Sequence, residues 1–121
     1  MMTIAPEILS EPVLTITAAI ERYAPTQGGI EFQTDIAGKV HDWHSHSVSE
    51  RIVVLTGALS VSWVHGENGR IGEAEALTGD RVELPAHLIH RSVAGADGCA
   101  YLICPEGGVA AATTPHIVDH R

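Results

Sequence analysis

Lysine is almost missing from this sequence: Lys39 is the single one in 121 residues. Seven basic residues stand against fifteen acidic ones, a formal net charge of −8. A surface of that sign repels polyanions, so neither nucleic acid nor an anionic membrane is an expected partner. Cysteine is scarce as well. Cys99 and Cys104 lie five positions apart in an apolar run. On a strand their Cα atoms stand about 17 Å apart and their side chains leave on opposite faces, which excludes a disulfide between them. Both read as reduced core residues, in keeping with a cytoplasmic setting. Apolar runs such as Ile52-Val53-Val54-Leu55 are far too short to cross a membrane. Residues 1–10 carry neither the basic stretch nor the apolar stretch of a secretory signal.

What is present is a core and an excess of histidine. The 45% hydrophobic content against 18% charged excludes global disorder, and 12.8 kDa fits one domain. Eight histidines against one Phe, two Tyr and two Trp call for an explanation, because imidazole is the commonest metal ligand among side chains.

Residues 1–12 read as a loose lead-in. Between Val13 and Tyr23 the apolar spacing permits a short helix, and the β-branched run from Val13 to Thr17 equally permits a strand. Pro25 and Gly28-Gly29 then break the chain. From there short strands follow, cut by glycine: 30–36, 40–47, 50–56, 59–63, 70–77, 81–84, 87–94 and 98–104. Gly57 reads as a turn, and so does Gly66-Glu67-Asn68-Gly69. Turn signals every eight to twelve residues point to an all-β sandwich or barrel. Residues 106–121, rich in Gly, Ala and Thr, read as a tail. The expected division is therefore a lead-in over 1–28, a barrel over 29–105 and the tail.

The chemistry concentrates in Gly38 to Glu50. Side chains two apart on a strand share a face, so His44 and His46 point the same way, about 6.6 Å apart at Cα. Two imidazoles so placed can converge on one ion at about 2.1 Å each. Glu50 has the same parity just across a bend, and His90, on a distant strand, is a candidate fourth ligand.

These residues fall into two motifs. Gly38–Gly57 reads G-x5-H-x-H-x3-E-x6-G, and Gly79–Ala94 reads G-x5-P-x-H-x2-H-x3-A, with 21 residues between them. The pair resembles the two motifs of the cupin family, with His87 in place of the usual Gly and Ala94 in place of the usual Asn. The resemblance implies a single-domain jelly-roll β-barrel (a double-stranded β-helix), open at one end. It also implies a metal held by His44, His46, Glu50 and His90, and a homodimer.

The remaining candidates carry less. Asp42 shares parity with His44, and with Trp63, His87 and Tyr101 it is a candidate for shaping the ligand pocket. His41 has the opposite parity and is expected outside. His65 reads as a strand-end residue, and His116 and His120 as exposed tail residues. Arg51 and Arg91 alternate away from the ligands. Three imidazoles and a carboxylate suit one divalent transition metal per chain, Fe, Mn, Co, Ni, Cu or Zn. With an open coordination position such a set implies a dioxygenase, isomerase or lyase acting on a small oxygen-bearing molecule, with Glu50 as a possible base. A non-catalytic module that binds or senses a small ligand is the alternative.

Overall fold

A computed structural model gives the structure of residues 5–66 and 69–119. Among the described residues eight strands and one α-helix follow in order: β1 (Glu7–Ser10), α1 (Ile16–Tyr23), β2 (Glu31–Asp35), β3 (Val40–His46), β4 (Glu50–His65), β5 (Arg70–Leu77), β6 (Asp80–Leu84), β7 (His90–Pro105) and β8 (Thr113–Pro115). All pairings are antiparallel. The sheet runs β1-β6-β4-β7-β3-β8, with β2 added to β7 and β5 to β4. Hydrogen bonding does not join its two ends, so the architecture is an all-β jelly roll whose sheet stays open.

β4 and β7 are the spine, and each merges two of the expected strands. Gly57 is no turn. At φ +80° it lets β4 bend and continue against β7, where a Cβ would come within 2.1 Å of the Gly98 carbonyl oxygen. Register shifts flank this point, between Val54 and Thr56 and between Gly57 and Leu59. The spine is covered on both faces. Inside lie Ile52, Val54, Leu59, Val61, Val82, Leu84 and Tyr101. Outside, Ala19 and Tyr23 of α1 pack on Val53, Leu55, Leu102 and Cys104. The two free cysteines are buried in different clusters, Cys99 inside and Cys104 under the helix, as their odd spacing requires.

The segment left open between helix and strand is helical from Ile16. Thr15 caps it, its side-chain oxygen accepting from the Ala18 N–H at 3.1 Å. The lead-in is not loose, since Glu7–Ser10 pairs with β6 from Glu83 to Asp80. Nor does the tail merely lie over the surface: β8 pairs with the end of β3, His46 with Thr113. Both segments lack the alternation that marks a strand in sequence, and each is ordered by the edge it completes. Glu67 and Asn68 of the expected turn, and His120, lie outside the described residues.

Candidate metal centre

β3 and β7 bring the histidines together. His44 pairs with His90 in the ladder, and His46 follows two residues on. The three rings meet edge to face or tilted, at centroid distances of 4.3, 4.8 and 5.2 Å, and their ligand nitrogens all lie within 4.8 Å of one another. Each ring is held from behind by its Nδ1. That of His90 donates to the Leu88 carbonyl at 2.9 Å, that of His44 donates to the Asp42 carbonyl, and that of His46 meets Thr113 Oγ1 at 3.1 Å. A carbonyl only accepts, so it fixes the proton of His44 and His90 on Nδ1 and leaves the Nε2 lone pair free. Thr113 permits the same tautomer at His46.

Glu50 stands beside this cluster. Its Oε1 is 3.1 Å from His46 Nε2. Burial, with Glu31 nearby, raises the Glu50 carboxyl to about 7. Burial first, then neighbouring imidazoles, lowers His46 and His90 to about 4 each. The pair His46–Glu50 is therefore not an ion pair in the interval between, but a protonated carboxyl facing a neutral ring. Once Glu50 ionises, a carboxylate and an imidazole lone pair face each other at hydrogen-bond distance, an arrangement that a cation between them satisfies. The donor set therefore fits a divalent transition ion: three neutral nitrogens and one adjustable carboxylate.

The cluster opens on a cavity of about 290 Å³, walled by Ile52, Val61, Leu84 and Ile103 and, from the tail, by Ala110, Ala111 and Thr113. Tyr101 lines it as expected. Three of the other pocket candidates do not. Asp42 has its side chain 81% exposed and reaches Arg91 at 3.5 Å, because a bulge between His41 and His44 breaks the parity that joined it to His44. Trp63 packs over Gly72, where a Cβ would meet its indole at 2.3 Å, and stays off the cavity wall. His87 is exposed and holds φ +68°, the left-handed conformation for which the usual glycine of the motif is suited.

The same bulge turns His41 inward, against expectation. In this ladder β3 advances three residues, His41 to His44, while β7 advances two, Ser92 to His90. His41 thus lines the cavity and its Nε2 lies 2.9 Å from Asp35 Oδ2. Asp35 also accepts from Tyr101 Oη at 2.7 Å and from Gln33 Nε2 at 3.2 Å. Burial alone would raise the Asp35 carboxyl; these donors outweigh it and hold it below the ordinary value. Gln33 and Asp35 were missed in the sequence, although their spacing of two opposite the outward Phe32 marks a polar inner face on β2. His65 stays off the cavity wall, and His116 is half-buried, bonded to Ser45 Oγ at 2.7 Å.

No protein-family model matches the sequence, and no curated protein matches it. Solved structures do match. Pumpkin seed globulin covers 71% of this chain with a TM-score of 0.64 at 15% identity, and the match spans 22% of the globulin chain. A deletion mutant of Bacillus subtilis oxalate decarboxylase also covers 71% at a TM-score of 0.64, with 23% identity over 23% of its own chain. The coconut allergen cocosin covers 71% at 0.63 and 14% identity, over 23% of its chain. The chain thus spans under a quarter of the length of these proteins, and at such identities the likeness is one of fold. Globulins and decarboxylase are both cupins, and the chain has the cupin fold.

Proposed function

We propose that this chain is a metal-dependent enzyme that acts on a small oxygen-bearing organic molecule, by dioxygenation, isomerisation or lyase chemistry. His44, His46 and His90 would hold one divalent transition ion through Nε2, with Glu50 as the fourth ligand. One observation carries the reading: three imidazoles converge within 4.8 Å with their Nδ1 atoms engaged behind them. The bound ion would polarise an oxygen of the substrate and stabilise charge developing there. The protein's own part is to keep the rings neutral by burial, to exclude water with the apolar wall, and to offer Glu50 as a proton acceptor. A cavity of about 290 Å³ limits the substrate to a small molecule.

Fold does not choose between turnover and binding. Seed globulins match this fold as closely as a decarboxylase does, so a module that binds a small ligand without turnover is the second reading. Elemental analysis of the purified protein with oxygen-uptake screening separates the readings. Iron with substrate-dependent oxygen loss selects a dioxygenase, and a metal-free protein that takes up no divalent ion refutes the proposal. The outward Phe32 and Ile36, 51% and 80% exposed, support a homodimer. Among the described residues no helix is long and apolar enough to cross a membrane.

A further inference from the structure

The cavity has a second polar end. Asp35, with 4% of its side chain exposed, receives three donors: His41 Nε2–H, Tyr101 Oη–H and the Gln33 amide. Tyr101 is fully engaged, donating to Asp35 and accepting from Gln33 at 2.9 Å. His41 is not. With its Nε2 proton on the carboxylate, Nδ1 carries a lone pair, and among the described residues no protein group pairs with it. The ring lines the cavity and keeps 31% of its side chain exposed. In the ladder it sits one inward step beyond His44 and His90, about 7 Å along the strand.

We propose that Asp35 and His41 form a proton-transfer dyad acting on a small, unphosphorylated 2-oxo or 2-hydroxy acid held at the His44–His46–His90 end. This rests on the metal centre proposed above and names its substrate class. Two neighbouring oxygens of such an acid suit a metal with open positions. Among the described residues no lysine or arginine lines the cavity, so a phosphate group would find no cation there beyond the histidine end. The step balances without a co-reactant. His41 Nδ1 takes a proton from the carbon beside the carbonyl. The C–H electron pair forms a carbon–carbon double bond, and the carbonyl π pair moves onto its oxygen, at the histidine end. Return of the proton to the same carbon gives exchange; where that carbon bears a hydroxyl whose proton passes to the former carbonyl oxygen, return to the former carbonyl carbon gives the isomer. Asp35 is a positioning residue: it fixes the His41 tautomer and stabilises the imidazolium once the proton has moved.

Pyruvate, the smallest 2-oxo acid with a C–H beside its ketone, is the probe. Zinc-loaded protein is incubated with it in D2O and methyl deuteration is followed by mass spectrometry. Wild type is expected to exchange the methyl protons faster than free zinc does. His41→Gln should be at least about 100-fold slower, at unchanged zinc content and pyruvate binding. Asp35→Asn should slow exchange at least about tenfold and move the His41 ring signals in 15N NMR away from the Nε2–H tautomer. A His41→Gln protein that exchanges as fast as wild type overturns the dyad and leaves the metal centre standing. So does zinc-loaded wild type no faster than free zinc. A wild type that takes up no zinc overturns both. Should the variants fail to fold, wild-type NMR decides: His41 found with its proton on Nδ1 refutes the proposal.

Discussion

Replacing His46 and Glu50 separately by alanine puts the proposed ligand set to a quantitative test. For 121 residues the entropy of unfolding near the midpoint is about 0.25 kcal/mol per kelvin, so 1 kcal/mol moves Tm by about 4 °C. A metal supplied at a hundred times its Kd stabilises the native state by about 2.7 kcal/mol, which is about 11 °C. His46 is one of two imidazoles presented by a single strand, and its ring is already oriented by Thr113. Its loss removes a ligand outright, so affinity should fall by at least the about 100-fold that losing an outer partner can cost. The same metal concentration then equals Kd, contributes about 0.4 kcal/mol, and shifts Tm by less than about 2 °C. Glu50→Ala leaves three nitrogens converging, a set that holds metal in other proteins. A loss of about tenfold leaves about 1.4 kcal/mol, or about 6 °C. The assay is the Tm difference between metal-loaded and chelator-treated protein for each variant, so effects on folding cancel, with metal content per chain measured alongside. If His46→Ala keeps the full shift while Glu50→Ala loses it, the carboxylate is the anchor and the division of labour is wrong.

Three further outcomes follow from the same structure. In chelator-treated protein, His46 and His90 bind protons in the unfolded chain from about 6.5 but in the native state only near 4, so their contribution is present above 6.5 and lost as pH falls. Glu50, raised to about 7, has the opposite sign, its contribution present below 4.5 and lost as pH rises to 7. Urea unfolding should therefore peak near pH 6.5 and fall on the acid side by about 1 kcal/mol per pH unit; a rise in stability from pH 6.5 to pH 4 contradicts the burial argument. His87→Gly relieves a left-handed residue worth about 1–2 kcal/mol at an entropic cost of about 0.4–1 kcal/mol, so it should leave stability unchanged or raise it by up to about 1.6 kcal/mol; a clear loss in urea unfolding would mean the imidazole makes a stabilising contact. Light scattering at micromolar concentration should give a dimer of the 12.8 kDa chain, and a monomer there refutes the pairing.

The parts of this structure that were legible in the sequence are those fixed by local spacing. His44 and His46, two apart on β3, share a face because no irregularity falls between them. Ile52 and Val54 follow Glu50 inward for the same reason, and Leu88 and Ser92 bracket His90 on its own face. Strand ends were less legible. Gly57 marks a bend and not an end, because β4 runs on there against β7, paired with Cys99 and pressed against the Gly98 carbonyl, a condition set by residues more than 40 positions away. The short edge strands β1 and β8 have no alternation of their own. What orders them is the ladder each one completes, which no window of sequence contains.

The bulge on β3 is the hardest case and the one with most consequence. A period of two, carried back from His44, puts Asp42 inside and His41 outside. The ladder puts them the other way, because three residues of β3 span two of β7. One inserted residue therefore moves an acid out to Arg91 and brings an imidazole in to Asp35. Were the same sequence paired in a regular ladder, the cavity would hold the histidine cluster and a buried aspartate short of one donor, since Tyr101 and Gln33 alone would face its carboxylate. The insertion satisfies that carboxylate and supplies the cavity with a second titratable ring. A deletion of one residue between His41 and His44 should accordingly remove the bulge and still leave His41 facing Asp35, because two residues of β3 would then span two of β7 with His41 opposite Ser92.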